Sequence, residues 1–342
     1  MKNTILNKLC ITFLFPLFAI SAFAAKADGK KLQVFILAGQ SNMEGAGVIK
    51  INPNSKNEGK GTLEYLTRNK GTRKEFAHLV DKEGKWVARK DVFIRYGERS
   101  GNLKAGFGAR SSAIGPELGF GQVIGDALDE PVLLIKTCWG GKSIFIDFRP
   151  PSSGMPPKET LDKMLNGARK KNADARMEDV KTRVGHFYRL MLSEVEDTLG
   201  NLEQYVPEHD GKGYEIAGFA WHQGWNDGLS HVPVAEYEEN LANLIKDIRK
   251  EWKTPSLPVA IAVSGFGGRN QKIDRRLGII EAQHAIAMRR EFKGTATSVE
   301  TRDFWRPRED SPGGQGYHWN NNAETYYRIG EGLGKAMVKL LK

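Results

Sequence analysis

Five short apolar runs alternate with helix-like segments along this chain, and this alternation limits the fold more than any other feature. The runs cover residues 32–37, 132–137, 215–221, 259–264 and 295–299. Apolar residues recur at helical spacing in residues 119–128, 184–199, 235–252, 278–292 and 323–341. Strands that alternate with helices favour parallel βαβ units. The chain is therefore predicted to have an α/β fold, a three-layer α/β/α sandwich around a five-stranded parallel sheet.

Polar and aromatic residues follow the end of every predicted strand. The carboxyl ends of parallel strands meet at one edge of the sheet, where open α/β folds bind ligands. Turns require Gly, Asn or Asp, but not repeated His, Gln and Trp. These segments are Gly39-Gln40-Ser41-Asn42, Cys138-Trp139-Gly140-Gly141-Lys142-Ser143, His222-Gln223-Gly224-Trp225-Asn226-Asp227, Gly265-Phe266-Gly267-Gly268-Arg269, Glu300-Thr301-Arg302-Asp303-Phe304-Trp305 and Gly316-Tyr317-His318-Trp319-Asn320. The sequence therefore predicts a functional site at this edge.

Ser41 is the candidate nucleophile. It directly follows a buried strand, in a tight turn where the amide groups of the next helix point towards its hydroxyl. In a purely structural turn, Gly39 and Asn42 would bend the chain and the serine would be incidental. A serine hydroxyl is a weak nucleophile and needs a base within hydrogen-bonding distance, for which His318 is the candidate.

Four segments, in chain order, resemble the motif blocks of the SGNH hydrolases, in the branch of sialate O-acetylesterases and carbohydrate esterases. GQSNM resembles the first block, CWGGKSI the second, GWND the third and YHWNNNAETYYRIGEGLG the last. The resemblance implies a flavodoxin-like SGNH fold and hydrolysis of an acyl ester by Ser41 and His318. It also implies an oxyanion hole formed by the amide of Ser41, an amide of Gly140 or Gly141, and the side-chain amide of Asn226.

Further candidates for substrate contact lie in the same segments. They are Gln40, Gln223, His222 and Tyr317, although His222 is as well explained by packing in the core. Basic residues that are able to bind carboxylates or sulfates follow the strands or lie in insertions, namely Arg110, Lys142, Arg269, Arg302 and Arg306. The remaining histidines show no metal-ligand spacing, so we expect neither a metal nor another cofactor.

The acid that usually orients the histidine in this branch is missing from both of its expected positions. A tryptophan stands where the third block usually has Glu, and Gln315 and Gly316 stand where an Asp usually precedes the histidine. Loss of such an acid is costly, because it fixes the histidine tautomer and stabilises its cation. Asp303 and Asp227 are the possible substitutes. Asp303 is the expected partner of His318, because it lies on the loop that leads there.

Two enzymatic functions are compatible with these segments. The first is removal of O-acetyl or similar acyl groups from a polysaccharide or its oligosaccharides by Ser41 and His318. The second is a dehydratase or lyase reaction, which removes a proton next to a uronate carboxylate and expels water or a sugar. His318, Tyr317 and Asn226 suit that chemistry, and the missing acid favours it. The fold and leader also resemble proteins that degrade anionic algal polysaccharides such as ulvan. A sugar-binding module without activity is disfavoured, because Ser41 and His318 are both present.

Residues 1–24 are predicted to be a secretory signal peptide. Lys2 and Lys8 precede an apolar stretch, residues 9–23, that is too short to span a membrane. Ala22-Phe23-Ala24 at its end is typical of a cleavage site. We therefore expect export, to the periplasm or out of the cell, without a membrane span. Residues 25–342 are predicted to form one catalytic domain, with insertions over the sheet edge near 48–112 and 148–182.

The formal net charge of +10 favours binding to polyanions. An acidic or acetylated polysaccharide is the expected partner. Nucleic acid is not expected, because the chain has no zinc-finger, RNA-binding or basic-helix signature. Beyond the leader, Cys138 is the single cysteine, so a hydrophobic core and not a disulfide must stabilise the fold. The sequence contains no feature that sets an oligomeric state.

Overall fold

Residues 30–207 and 211–342 are described by the computed structural model; the predicted leader, residues 1–24, lies outside them. The strands are β1 Leu32–Gly39, β2 Gly47–Val48, β3 Val92–Tyr96, β4 Arg99–Asn102, β5 Ala113–Ile114, β6 Val132–Cys138, β7 Tyr214–His222, β8 Val259–Ala262 and β9 Ala296–Val299. The helices are α1 Ser41–Glu44, α2 Leu63–Arg68, α3 Arg73–Phe76, α4 Pro116–Ala127, α5 Lys158–Arg169, α6 Met177–Arg183, α7 His186–Gly200, α8 Leu202–Tyr205, α9 His231–Glu251, α10 Asp274–Met288 and α11 Ala323–Leu341. None of these helices is long and apolar enough to cross a membrane.

In the central sheet, the carboxyl ends of β6, β1 and β7 lie side by side. Within the described ranges the sheet has seven strands, in the order β4-β3-β6-β1-β7-β8-β9. β4 is antiparallel to β3, and all other neighbours are parallel. The last residue of the central strand β1, Gly39, is paired with Cys138 of β6 and with His222 of β7. The segments that follow these three strands therefore begin side by side.

Alternate side chains of β1 enter two different hydrophobic cores. Phe35 and Leu37 pack in the core that α4 and α11 cover. Val34 and Ile36 pack in the core that α7, α9 and α10 cover. The two-residue period of a strand causes this alternation, and the apolar run is long because both faces of the strand are buried. The α/β prediction is thus confirmed, with helices on both faces of the sheet.

All five predicted strands are present, as β1, β6, β7, β8 and β9, but the predicted number of strands in the sheet is wrong. β3 and β4 extend the sheet beyond β6. Both lie within residues 48–112, which the sequence placed in an insertion over the sheet edge. The apolar run of β3 consists of residues 92–94 only, between charged neighbours. So short a run does not stand out as a strand until a neighbouring strand is known.

The second predicted insertion, residues 148–182, adds no strand to the sheet. It contains α5 and most of α6, and its Leu161 and Val180 form a small apolar cluster with Val184, which lies just beyond the segment. Its link to the main body includes Ser152, whose amide donates to the Asp247 carboxylate of α9 at 2.9 Å. This segment is therefore an addition of helices that contacts α9 on one face of the sheet.

Candidate active site

The turn after β1 carries Ser41 as the first residue of α1. Gly39 has a φ of +149°, and a Cβ there would lie 2.2 Å from the carbonyl oxygen of His222, so only glycine fits this close approach of β1 and β7. The amide of Gln40 donates to the same carbonyl at 3.2 Å, and the Ser41 carbonyl accepts from Gly45 at 2.9 Å. These contacts fix the direction in which the Ser41 hydroxyl leaves the sheet.

A buried lysine, Lys136, stabilises the turn that carries Ser41. Nζ of Lys136, on β6, donates to the carbonyl oxygens of Glu44 and Phe107 and to the Glu117 carboxylate, each at 2.7 Å. The other carboxylate oxygen of Glu117 accepts from the amide of Gly115 at 2.8 Å. A buried charge is tolerated only when it is paired and its hydrogen bonds are satisfied, as they are here. Lys136 therefore ties the end of α1 to α4, and sequence reasoning did not identify it.

His318 reaches Ser41 from the loop before α11. Its Nε2 lies 2.9 Å from the Ser41 hydroxyl oxygen. The next three residues, Trp319, Asn320 and Asn321, have φ angles of 53°, 53° and 58°, which residues other than glycine rarely adopt. Trp319 is fully buried, and the Asn320 side chain donates to the carbonyl oxygen of Arg306 at 3.1 Å. Tertiary contacts thus hold an unusual backbone path. Burial also lowers the pKa of His318 below the ordinary 6.5.

Gln315 is the partner of the second ring nitrogen of His318. Its Oε1 lies 2.7 Å from Nδ1. An amide oxygen only accepts, so Nδ1 must carry the hydrogen. Nε2 is then free to accept the hydrogen of the Ser41 hydroxyl, which is the tautomer that a general base needs. Gln315 is a residue that sequence reasoning noted only as the position of a missing acid.

The prediction that Asp303 orients His318 is wrong. Both oxygens of the Asp303 carboxylate accept from the Arg269 guanidinium at 2.9 Å, and the side chain is 60% exposed. Asp227 does not replace it. The Asp227 carboxylate is buried and accepts from the amides of Ile144 and Phe145 at 3.0 and 2.9 Å. The Asp303 carboxylate is bound by Arg269 from the loop after β8, although His318 is the nearer of the two in the sequence.

The glycines after β6 lie beside Ser41. A Cβ on Gly140 would lie 3.9 Å from the Ser41 Cβ. In the described structure the amides of Ser41 and Gly140 donate to no other protein atom. The side-chain amide of Asn226 donates to the carbonyl oxygen of Gly141, which leaves its second N–H free for another acceptor. N–H groups gathered in this way can bind a negatively charged oxygen next to the serine.

Gln40 and Gln223 hold the site together from within and do not line it. Each is 1% exposed. Oε1 of Gln40 accepts from the amides of Gly224 and Asn226 at 3.1 and 3.3 Å, and from the Gln223 side chain at 3.2 Å. The Gln223 side chain also donates to the Asp227 carboxylate at 2.6 Å. The expectation that these two glutamines contact substrate is therefore corrected: they position the loop that carries Asn226.

His222 is likewise an interior residue. It is 1% exposed, its Nδ1 lies 3.2 Å from the carbonyl oxygen of Ala262, and its ring lies 6.3 Å from that of Trp319. Burial lowers its pKa to about 4, so it is neutral near pH 7. A buried ring cannot contact a carbohydrate from solvent. Of the two explanations offered by the sequence, the structure supports packing in the core and corrects the assignment to substrate binding.

Tyr317 forms an aromatic wall beside the Ser41–His318 pair. Its ring lies 4.5 Å from that of Trp225 at an angle of 27°, and 4.5 Å from the His318 ring at 61°. Trp225 in turn packs edge-on against Phe266 at 5.1 Å. Both Tyr317 and Trp225 are partly exposed. A partly exposed aromatic face is a surface on which a sugar ring can pack.

Asn42 joins the nucleophile turn to the histidine loop, and sequence reasoning gave it no role beyond the turn. Its Nδ2 donates to the carbonyl oxygen of Tyr317 at 3.0 Å. Its Oδ1 accepts from the Tyr326 hydroxyl at 3.0 Å, and that hydroxyl also lies 3.3 Å from the carbonyl oxygen of His318. The available signal was its place in GQSNM, directly after the serine.

Comparisons with known proteins identify a family and structures of similar fold. A family model described as a carbohydrate esterase, sialic acid-specific acetylesterase, matches residues 31–338. A solved protein of Arabidopsis thaliana has 17% identity and a TM-score of 0.53 over 90% of this chain and 98% of that one. A carbohydrate acetylesterase from Xanthomonas citri has 15% identity and a TM-score of 0.51 over 89% of this chain and 55% of that one. At such identities, the two structures establish likeness of fold. No curated protein matches the chain.

Proposed function

This chain belongs to the carbohydrate esterase family of sialic acid-specific acetylesterases, and from that premise we propose that it hydrolyses acetyl esters on a carbohydrate by Ser–His catalysis. The observation that carries the proposal is the 2.9 Å contact between the Ser41 hydroxyl and Nε2 of His318 at the ends of the central strands. A positioned base of this kind is what a serine needs in order to attack an ester.

The first half of the reaction transfers the acyl group to the protein. Ser41 Oγ bonds to the ester carbon while its proton passes to Nε2 of His318, and the carbonyl oxygen becomes negatively charged. The free amides of Ser41 and Gly140 and the free N–H of Asn226 donate to that oxygen. The His318 imidazolium then gives its proton to the sugar oxygen as the bond from that oxygen to the acyl carbon breaks. In the second half, water attacks the acyl carbon while its proton passes to Nε2 of His318. The imidazolium then returns a proton to Ser41 Oγ as the bond from Oγ to the acyl carbon breaks, and acetate is released.

Gln315 supplies the hydrogen bond that an aspartate would make to His318, but not the negative charge. Its amide oxygen, 2.7 Å from Nδ1, fixes the tautomer of His318 as an aspartate would. A neutral amide does not, however, offset the positive charge that forms on the ring. The site is therefore proposed to keep the geometry of a serine esterase while stabilising its imidazolium less strongly.

The test identifies both the product and the intermediate. The purified protein is incubated with an O-acetylated oligosaccharide, acetate is measured, and the reaction is stopped with acid during turnover. Peptide mass spectrometry of the stopped enzyme is expected to find an acetyl group on Ser41, and none in Ser41→Ala. Acetate release by Ser41→Ala at the wild-type rate contradicts the proposal.

A second candidate is elimination on a uronic acid residue, and the neutral partner of His318 is the observation that favours it. A base that removes a carbon-bound proton needs no acyl-enzyme, and the Tyr317 ring stands beside it as a possible proton donor. This reaction creates a conjugated double bond that absorbs ultraviolet light. Parallel incubations with an unacetylated and an O-acetylated uronic oligosaccharide separate the two. Absorbance with the unacetylated sugar selects elimination, and acetate from the acetylated sugar without absorbance selects hydrolysis.

A further inference from the structure

Two adjacent arginines near the candidate active site differ from all other buried or partly buried arginines of the described structure, because their side chains make neither a hydrogen bond nor an ion pair. Arg275 and Arg276 lie in the first turn of α10 and are partly buried. The Nε atom of each is fully buried without a hydrogen bond, and neither guanidinium forms an ion pair within the described ranges. All other buried or partly buried arginines described donate to carboxylates or carbonyl oxygens.

The position of this pair is electrostatically unfavourable. The start of a helix carries a partial positive charge, so cations are normally placed at its end. The two guanidinium groups also repel each other: burial and the nearby charge of Arg275 both lower the pKa of Arg276. The neighbouring Asp274 is exposed and makes no ion pair with them. Unpaired positive charge concentrated in this way favours an anion that comes from outside the chain.

Aromatic contacts connect Arg276 to the catalytic groups. Its guanidinium carbon lies 4.5 Å from the centre of the Trp225 ring and 5.6 Å from that of Phe266. Trp225 packs on Tyr317, which contacts His318, and it directly precedes Asn226. A guanidinium held over an aromatic face keeps its N–H groups at its edge, where they can donate to an oxyanion. The charge is therefore held within the aromatic wall that borders the site.

The basic residues that the sequence singled out do not offer the same opportunity. Arg269, Arg302 and Arg306 are each paired with a carboxylate. Lys142 lies over the ring of Phe187 at 4.2 Å, and Arg110 donates to Ser112 at 3.1 Å. Arg110 and Lys142 likewise form no ion pair within the described ranges, but the pair on α10 is distinguished by its buried, unpartnered Nε atoms and by the contact of Arg276 with Trp225.

We propose that Arg276, supported by Arg275, binds an anionic substituent, a carboxylate or a sulfate ester, on the sugar whose acetyl group is removed. The inference rests on the proposed function, since it names the substrate class of that same site. Guanidinium groups bind such planar or tetrahedral oxyanions through two parallel hydrogen bonds. The anion would lie beside Trp225 while the ester lies over Ser41.

The test compares O-acetylated sugars that differ only at C6: a glucuronide, a glucoside 6-sulfate and a neutral glucoside. Wild-type kcat/KM for acetate release is expected to be about tenfold or more higher for one or both anions, and this preference should fall as salt is added. The arm that shows the preference distinguishes carboxylate from sulfate. Arg276→Gln should lose the preference, Arg276→Lys should keep part of it, and the control Arg269→Gln should keep all of it.

Equal kcat/KM for the three sugars in the wild type, or an unchanged preference in Arg276→Gln, overturns the inference and leaves the esterase proposal intact. If no sugar is deacetylated, the esterase proposal fails, and a binding measurement still decides the inference. Calorimetric titration with an unacetylated oligoglucuronide and with a 6-sulfated oligosaccharide should then show weaker binding to folded Arg276→Gln than to the wild type. Equal binding by both proteins contradicts the anion site.

Discussion

Among the described residues, two serine–histidine contacts have the same length but different surroundings. Ser41 lies 2.9 Å from Nε2 of His318, and Ser298 lies 2.9 Å from Nδ1 of His284. The second histidine even has a carboxylate, that of Glu300, 3.6 Å from its other ring nitrogen. The second contact therefore has all three residue types of a catalytic triad, a serine, a histidine and a carboxylate, whereas the partner of His318 is the neutral Gln315.

The surroundings nevertheless favour Ser41 over Ser298 as the catalytic serine. Ser298 lies within β9, where it is paired with Ile261 of β8, so its backbone belongs to the sheet. Glu300 is engaged by Arg302, which holds the pKa of its carboxyl at about 2 although burial opposes this. Ser41 instead starts a helix beside free amides and an aromatic wall. The comparison teaches that a serine–histidine distance does not make a catalytic site unless donors for the oxyanion and room for a substrate lie next to it.

Replacement of each serine in turn tests most directly which of the two contacts is catalytic. Ser41→Ala is expected to lower kcat for acetate release about a thousandfold or more, because the nucleophile is lost. Ser298→Ala is expected to stay within about twofold of the wild type, because the hydroxyl has no oxyanion donors beside it. Turnover and melting temperature are measured for both. A large loss in Ser298→Ala with an unchanged melting temperature would reverse the assignment.

Removal of an oxyanion donor gives the next largest effect. Asn226→Ala is expected to lower kcat and kcat/KM together by about a hundredfold, because the donor acts on charge that forms only in the transition state. Asn243→Ala is the control: its side chain donates to Ser153 on the outer layer, away from the strand ends. A rise in KM with unchanged kcat in Asn226→Ala would mean that Asn226 only binds the ground state.

Gln315→Glu restores the charge that the His318 site lacks and leaves the side chain the same length. The pKa of His318 lies below 6.5, so wild-type kcat/KM should persist below that pH and fall as the ring becomes protonated. A carboxylate favours the protonated ring, so the acid limb should move about one unit to higher pH, and the rate above it should rise up to about tenfold. The pH–rate profile of Glu300→Gln, the matched change at His284, should not move.

Asp303→Asn is expected to have the smallest effect. The carboxylate is exposed and paired with Arg269, and exposed pairs contribute little. Turnover should remain within about twofold and the pH–rate profile should coincide with that of the wild type. A fall in turnover with unchanged melting temperature would restore Asp303 as the partner of His318, by a movement of its loop.

The sequence alone was sufficient to predict that the strand-end motifs meet at one edge of the sheet. Buried strands need apolar runs, and the ends of parallel strands meet at one edge, so GQSN, the glycines after β6 and Asn226 had to lie together. His318 was placed by its position before the last helix. The short strands β3 and β4 escaped detection, because the pairing of β3 with β6 and of β4 with β3 stabilises them more than their own composition does.

The orientation of His318, and the charges that remain free for a substrate, were decided only by the tertiary structure. Asp303 and Gln315 both precede the histidine. A tight turn, in which the His318 amide donates to the Gln315 carbonyl oxygen, brings the glutamine side chain to the ring, while Arg269 holds the aspartate. In the same way, arginines that look alike in the sequence differ in whether a carboxylate lies within reach. Apolar periodicity is a property of neighbouring residues, so a sequence determines it. Which polar partners meet depends on the path of every loop between them, and that path exists only in the folded chain.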